Sequence, residues 1–291
     1  MASAELRIIN RRIKSVKSTK KITRAMELIA SSRIVKAQQR MESSSSYIEV
    51  LTEIVQDLVS LGSIGEDSSQ KDSNKVALVV VTSDRGLAGA YNSNILKLAE
   101  QKHQELLSSN KEVNLYAVGK KASGYFSYRN VEPTKAYEGI TDEPKFENAL
   151  DVMESIIELY NSGDLSEVHI LYTKYVSALT QNAIAKQLLP LEKTDDNTGD
   201  VEEKKGGYSF EPSAEEVLED LIPKYMNATL FGALLNSSTS EHASRMRAMK
   251  AATENAEDLV KVLTRQSNQA RQAEITTEIS EIVGGAEALA E

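Results

Sequence analysis

The run VVVTSDRGLAGAYN, residues 79–92, has the residue types of a phosphate-binding turn: an apolar strand, then Asp84, Arg85, two glycines and helix-forming residues. Backbone amides at such a strand-to-helix turn can cradle an anion at the positive end of the following helix. The spacing argues against nucleotide chemistry. A dinucleotide fingerprint needs G-x-G-x-x-G and a phosphate loop needs G-x-x-x-x-G-K-[ST]. Here Gly86-Leu87-Ala88-Gly89 has no third glycine and no lysine behind it. The other reading is a tight structural turn in which Asp84 and Arg85 satisfy local backbone groups and charge. Asp84 stands at a strand end, the position of an acid-base group, but it has no His, Cys or metal-ligand companion nearby in the sequence. His103, His169 and His242 are too scattered to form a ligand motif, and with no cysteine there is no zinc ribbon, disulfide framework or thiolate nucleophile. No active site assembles, and no cofactor or metal is expected.

The elements around this turn come in two kinds. From Leu6 to Leu61 there is neither Pro nor Gly, which predicts one continuous helix. A helix of that length would span roughly 80 Å. Ile34, Ala37, Met41, Ser44, Ile48, Leu51, Val55 and Leu58 recur by alternating threes and fours, the seam of a coiled coil. Leu6, Ile9, Ile13 and Val16 form an earlier stripe. Lys20 and Lys21 interrupt it, and Ile22, Met26 and Ile29 are expected to resume on a shifted face. Residues 62–75, rich in Gly, Ser and acids, form a linker. Beyond it the period changes: KVALVVVT, VNLYAVG and EVHILYT read as strands and AIAKQLLPL as a possible fourth, with helices over 89–107, 119–128 and 145–160. This predicts a small Rossmann-like α/β domain over 76–212 with a largely parallel sheet, and a mobile polar loop at 192–207.

From residue 213 to the end the writing is helical again, with Ser213 as N-terminal cap, a kink at Pro223 and an end at Gly284 and Gly285. Its inward face is predicted to carry Ala243, Ala248, Ala251, Ala252, Ala256, Ala270 and Ala273, with Leu259, Leu263, Ile275, Ile279, Ile282 and Val283 as larger knobs. Neither terminal helix has an apolar face wide enough to stand alone. Each is expected to pair with the other as an antiparallel coiled coil, residues 1–61 against 213–291, placing Met26 and Gln272 at similar heights.

Charge is uneven. Residues 1–41 hold eleven Lys or Arg against Glu5 and Glu27, a net of +9, in a chain whose total is −9. Three readings stand for this basic helix: a solvated face, an arm for nucleic acid, or a surface for an acidic protein. Nucleic-acid binders add stacking aromatics or a groove-reading module, and residues 1–41 have no aromatic residue; no nucleic acid is expected. An Arg-rich, acid-poor start also fits an organelle presequence, although the pattern continues unbroken past residue 40. The longest apolar run, VALVVV, is far short of the roughly 20 residues that span a bilayer.

Three strings carry a resemblance. KSTKKITRAMELIASSRIVKAQ (17–38), TSDRGLAGAYNSN (82–94) and SEHASRMRAMKAATENAEDLVKVLTRQSNQARQAEITTEISEIVGGAEAL (240–289) resemble, in this order, the N-terminal, central and C-terminal signatures of the F-type ATP synthase gamma subunit, bacterial type. The resemblance implies a rotor shaft: a coiled coil inside an α3β3 ring, with the α/β domain at the foot beside the epsilon subunit and the membrane c-ring. Nucleotide then binds on the ring, and the chain lies peripherally on the cytoplasmic side of the cell membrane, touching the membrane only through the complex. By the family's pattern Arg24 and Met26 face mobile levers of the β subunits, Arg271 and Gln272 touch a β loop that catches the shaft, and Thr276 and Glu278 are further β-subunit contacts. A coiled-coil adaptor with a docking domain is the alternative.

Overall fold

The computed structural model describes residues 4–60, 73–191 and 213–290. The loop expected at 192–207, and all of the expected linker but 73–75, lie outside the described residues. In chain order the elements are α1 (Ala4–Ser60), β1 (Lys75–Val81), α2 (Tyr91–Ser108), β2 (Glu112–Val118), α3 (Lys120–Tyr128), β3 (Lys135–Tyr137), α4 (Phe146–Asn161), β4 (Glu167–Tyr175), β5 (Gln181–Leu189) and α5 (Ala214–Ala290). The chain divides into two compact units, one of Ser31–Ser244 and one of Met1–Ala30 with Arg245–Glu291. Both long helices contribute to each.

In Ser31–Ser244 the five strands lie in the order β3-β2-β1-β4-β5. All pairings are parallel except β4 with β5. The sequence KVALVVV explains the centre. A strand apolar on every residue must be covered on both faces, which parallel crossovers through helices achieve. One face carries Ala77, Val79, Val81, Tyr116 and Ile170 against Val152, Met153 and Ile156 of α4, Val55 and Leu58 of α1, and Met226 and Leu230 of α5. The other carries Val76, Leu78, Val80 and Leu115 against Ile95 and Ala99 of α2 and Phe126 of α3. Leu58 is wholly buried, and such burial of a leucine side chain stabilises by about 1.5–3 kcal/mol. The edge strand β3 was invisible in the sequence because three residues, KAY, carry no periodicity.

In this unit the α1 seam lies where the spacing predicts: Ile34, Ala37, Leu51, Val55 and Leu58 are buried, and Met41, Ser44 and Ile48 half-buried. Ser213 caps α5, its Oγ accepting the Glu216 amide at 3.2 Å. The helix then runs through Pro223, its tenth residue, without ending, although the ring removes one intrahelical hydrogen bond there. Gly232 marks a close approach of α5 to α1, since a Cβ there would stand 2.9 Å from Ile48 Cδ1.

In the other unit α1 and α5 pair antiparallel. Asn10 bonds Ser267 at 3.1 Å, Lys20 bonds Glu257 at 2.9 Å and Thr23 shares a 2.8 Å hydroxyl bond with Thr253. Thirteen residues forward on α1, from Asn10 to Thr23, thus answer fourteen residues back on α5, from Ser267 to Thr253. The seam corrects the sequence expectation. Leu6, Ile9, Ile13, Val16, Lys20, Thr23, Glu27 and Ala30 are the buried and half-buried residues at steps of three and four, so no slip occurs. Ile22 and Ile29, expected inside, are 59% and 56% exposed. Polar Lys20, Thr23 and Glu27 hold their places because the spacing of a heptad, not apolarity at every position, decides which face meets the partner.

On α5 the facing residues are Met249, Thr253, Ala256, Val260, Leu263, Ser267 and Ala270. Leu259, Ile275, Ile279, Ile282 and Val283, predicted as inward knobs, are all exposed, as are Ala251 and Ala273. For the last four knobs the reason is length: α1 begins at Ala4, level with about residue 273, so beyond that point no described residue of α1 lies alongside α5. The helix also continues through Gly284 and Gly285 to Ala290, because glycine weakens a helix by only about 1 kcal/mol.

Candidate functional site

The turn after β1 is closed by the protein itself. The Asp84 carboxylate accepts the Lys120 amide at 3.1 Å and, on its other oxygen, the Thr141 amide at 3.3 Å and hydroxyl at 2.9 Å. The Lys121 amide bonds the Ser83 carbonyl at 3.1 Å and the Ala122 amide the Thr82 hydroxyl at 2.9 Å. The amides that open α3 therefore already hold a carboxylate and two oxygens of the β1 end, whereas α2, the helix that follows the Gly86–Gly89 turn, starts after Ala90 with no side-chain cap. Burial works to raise the Asp84 pKa, but bonds from Gly139, Thr141 and Lys120 together hold it below the usual aspartate value. Leu87 and Gly89 take positive φ of 63° and 57°, whereas Gly86 does not. The structural reading of Asp84 and the glycines fits this geometry.

A doubly wound sheet offers a ligand crevice beyond the carboxyl ends of its strands, where the strand order reverses. Here that point lies between β1 and β4, and α5 occupies it. The last β1–β4 register pair is Val80 with Leu171, so β4 runs on past it to Tyr175. Side chains of α5 pair the backbone there. Asn236 Oδ1 accepts the Tyr175 amide at 3.2 Å, Ser237 Oγ accepts the Thr173 amide at 3.4 Å and Ser240 Oγ donates to the Thr173 carbonyl at 3.2 Å. The helix stands in for a missing strand, which is why Ser237, Ser238, Thr239 and Ser240 are buried without violating the need of buried polar groups for partners.

Beside this belt lies Asp142, between β3 and α4. Its carboxylate meets the Arg33 guanidinium of α1 in a short ion pair, with Arg85 at 3.9 Å and His242 Nε2 at 3.7 Å. Its carbonyl accepts Ser238 Oγ at 3.0 Å. Burial pushes the Asp142 pKa up, but the Arg33 hydrogen bond and the charges of Arg33, His242 and Arg85 outweigh it, so the carboxyl titrates below its ordinary range. A carboxyl whose folded pKa is depressed contributes stability above its unfolded value, near 3.9, and loses it as pH falls through the folded value. Asp142→Asn is therefore expected to flatten the loss of urea-unfolding midpoint between about pH 5 and pH 3 relative to the parent protein. Unchanged steepness would count against the pair's contribution.

The residues proposed from the sequence as partner contacts fall in two separate places. Arg24 is exposed and its Nη1 bonds Glu27 Oε1 at 2.7 Å; Met26 is half-buried at the seam margin. Arg271, Gln272, Thr276 and Glu278 are exposed on successive turns of α5, with Thr276 Oγ1 bonded to the Gln272 carbonyl at 2.9 Å. The pairing register sets Met26 level with about residue 250, so Met26 and Gln272 do not share a height; roughly 30 Å of helix axis separates them. The antiparallel expectation held, but its register needs a cross-helix pair, which sequence periodicity does not supply. Sequence reading also passed over Asp142 and the polar belt. Their signal was the run NSSTSEHAS, 236–244, which has too few apolar residues for a helix that packs by hydrophobic contact alone. Among the described residues no group of three His, Asp or Glu could hold a metal ion.

An antiparallel helix pair, joined by its own two helices to a doubly wound sheet whose ligand crevice one of those helices fills, defines the class of protein. A family profile described as ATP synthase matches residues 5–289. The chain is 46% identical over 294 residues to the ATP synthase gamma chain of Parafrankia sp. (strain EAN1pec), covering 99% of each. It is 46% identical over 295 residues to that of Thermobifida fusca (strain YX), covering 99% of this chain and 97% of the relative. Among solved structures, a chain of the Euglena gracilis mitochondrial ATP synthase, OSCP/F1/c-ring in rotational state 3, shares the fold with a TM-score of 0.69 at 19% identity, over 98% of this chain and 94% of that one. The chain belongs to the ATP synthase gamma chain family.

Proposed function

We infer that the chain works as the central rotor shaft of an F-type proton-translocating ATP synthase, coupling rotation of the c-ring to successive conformations of the catalytic β subunits. Its partners are the α and β subunits of the hexamer, the epsilon subunit and the c-ring. The observation that carries the reading is the antiparallel pairing of α1 with α5 through Asn10–Ser267, Lys20–Glu257 and Thr23–Thr253, in a chain matched end to end by gamma chains. Two helices bonded along a common seam resist twisting against each other, as torque transmission requires.

The pair is also electrically lopsided. Residues 1–30 carry eight Lys or Arg against two acids, and residues 245–291 six against eight. A single such shaft presents a different field to each of three identical β subunits, so it can stabilise a different state in each. It shifts those states only by its differential contact energy with them. By itself the chain is non-catalytic, and in the assembly it lies peripherally on the cytoplasmic side of the cell membrane; no helix among the described residues is long and apolar enough to cross one. Residues 1–61 and 213–291 form the shaft and 76–212 the foot.

Arg24 and Met26 meet the acidic levers of β, Arg271 and Gln272 meet the β loop that catches the shaft, and Thr276 and Glu278 contact β nearby. All but Met26 are solvent-exposed, with Arg24 held beside Glu27. Co-expression with the α and β chains of the same source is expected to give a stoichiometric complex with ATPase activity, and tight binding of ATP, ADP or NAD by the isolated chain in calorimetry would overturn the non-catalytic reading. Arg24→Glu is expected to lower proton pumping per ATP by roughly three- to tenfold, a differential contact of about 1 kcal/mol, while complex yield stays near normal. Equal loss of yield and pumping would remove Arg24 from the contact set.

A further inference from the structure

We propose that the belt of α5 side chains at 236–244, with Asp142, is the torsional lock of the foot: it fixes the angle of α5, and through Arg33 that of α1, against the sheet. The proposal rests on the rotor reading above and deepens it. Its basis is the kind of contact used. Apolar side chains resist separation of a helix from a sheet, but they are nearly indifferent to small rotations about the helix axis. Directional hydrogen bonds are not.

Over two and a half turns the Asn and Ser side chains of α5 make five of them to the body, beside a 3.4 Å contact of His242 with the Asp142 carbonyl: Asn236 with Tyr175, Ser237 and Ser240 with the two backbone groups of Thr173, Ser238 with the Asp142 carbonyl and Ser244 with Gln181 Oε1 at 3.1 Å. Rotation of α5 by one residue, about 100°, would break all five. The same residue that receives Ser238 holds Arg33 of α1 in an ion pair, so both helices are indexed to one short segment between β3 and α4. An apolar helix face would leave the Thr173 and Tyr175 backbone groups that these side chains pair without partners. The polar one specifies an angle, the use for which buried polar groups are best attested.

The test uses the complete synthase, with its own α, β, epsilon and c-ring, in inverted membrane vesicles. ATP hydrolysis, initial proton uptake and the largest proton gradient sustained are measured for Asp142→Ala, Asp142→Glu and the double variant Ser237→Ala/Ser240→Ala. The lock predicts that Asp142→Ala and the serine pair assemble and hydrolyse ATP within about twofold of the parent, but sustain a gradient lowered by about half or more. Slippage of a loosened lock grows with load. Asp142→Glu should restore most of the gradient. Two outcomes overturn the proposal: yield, hydrolysis and gradient falling in proportion, as for a merely structural role, or both variants sustaining the parent's gradient. If Asp142→Ala does not assemble, the serine pair decides alone, and its failure to assemble also counts against the lock. A parent complex that hydrolyses ATP without pumping would instead sink the rotor reading.

Discussion

Thr23→Cys combined with Thr253→Cys is expected to close an intramolecular disulfide in nearly every molecule under mild oxidation, while Met26→Cys with Gln272→Cys gives none. The chain has no cysteine of its own, so the background is clean. The two threonine Oγ1 atoms are 2.8 Å apart, and replacing them with sulfurs at the same seam position brings the pair within bonding geometry. The second pair is about 30 Å apart along the helix axis, beyond the reach of any side chain. Crosslinking is read as a mobility shift on non-reducing gels. Reaction of the second pair and silence of the first would mean that α1 and α5 pair in another register, and the seam assigned here would fall with it. The closed form is also a test of mechanism, since a rotor whose helices move as one body should keep its coupling when they are tied together.

Gly119→Ala is expected to destabilise the protein by roughly 3–5 kcal/mol, combining backbone strain with overpacking. Gly119 joins β2 to α3 at a φ of 96°, and a Cβ built there would stand 2.6 Å from the Thr82 carbonyl oxygen. That oxygen cannot yield easily. Thr82 is anchored to β2 by its amide on the Val118 carbonyl at 2.8 Å, and its hydroxyl receives the Ala122 amide at 2.9 Å. The loss should appear as a fall in chemical-denaturation midpoint. Gly124→Ala, at a helical site where a Cβ meets nothing within 4 Å, serves as the control and should be neutral or slightly stabilising. If the two behave alike, the close approach of β1's end to α3 is misplaced.

The parts of this architecture that announce themselves in sequence are those set by period and composition. KVALVVV predicts a strand buried on both faces, and the steps of three and four from Ile34 to Leu58 predict the seam that the structure shows. What periodicity carries poorly is identity at a polar seam position. Lys20, Thr23 and Glu27 look like breaks in an apolar stripe, and Ile22 and Ile29 look like its continuation, yet geometry keeps the former inside and the latter out. Register is harder still, because it depends on which residue meets which across the helix pair, and the same seam spacing fits pairings one heptad apart. The belt at 236–244 was hidden for another reason. Its serines are buried because β4 outruns β1 and leaves backbone groups unpaired, a fact of strand length that no window of α5 contains. The proposed partner contacts rest on family pattern alone; Arg271 and Gln272 are exposed residues on a helix, and nothing in their own spacing distinguishes them from other solvated positions.

The last stretch of α5, from Ile275 to Ala290, projects past the start of α1 by sixteen residues, or about 24 Å. Below that point a bend must compress one helix and stretch the other; above it a lone helix flexes freely. Among the described residues α5 is therefore stiffer where α1 is bonded to it than along Ile275–Ala290. A single helix yields to a sideways load more readily than a bonded pair, so small eccentricities are absorbed along this stretch while twist is carried by the doubled one.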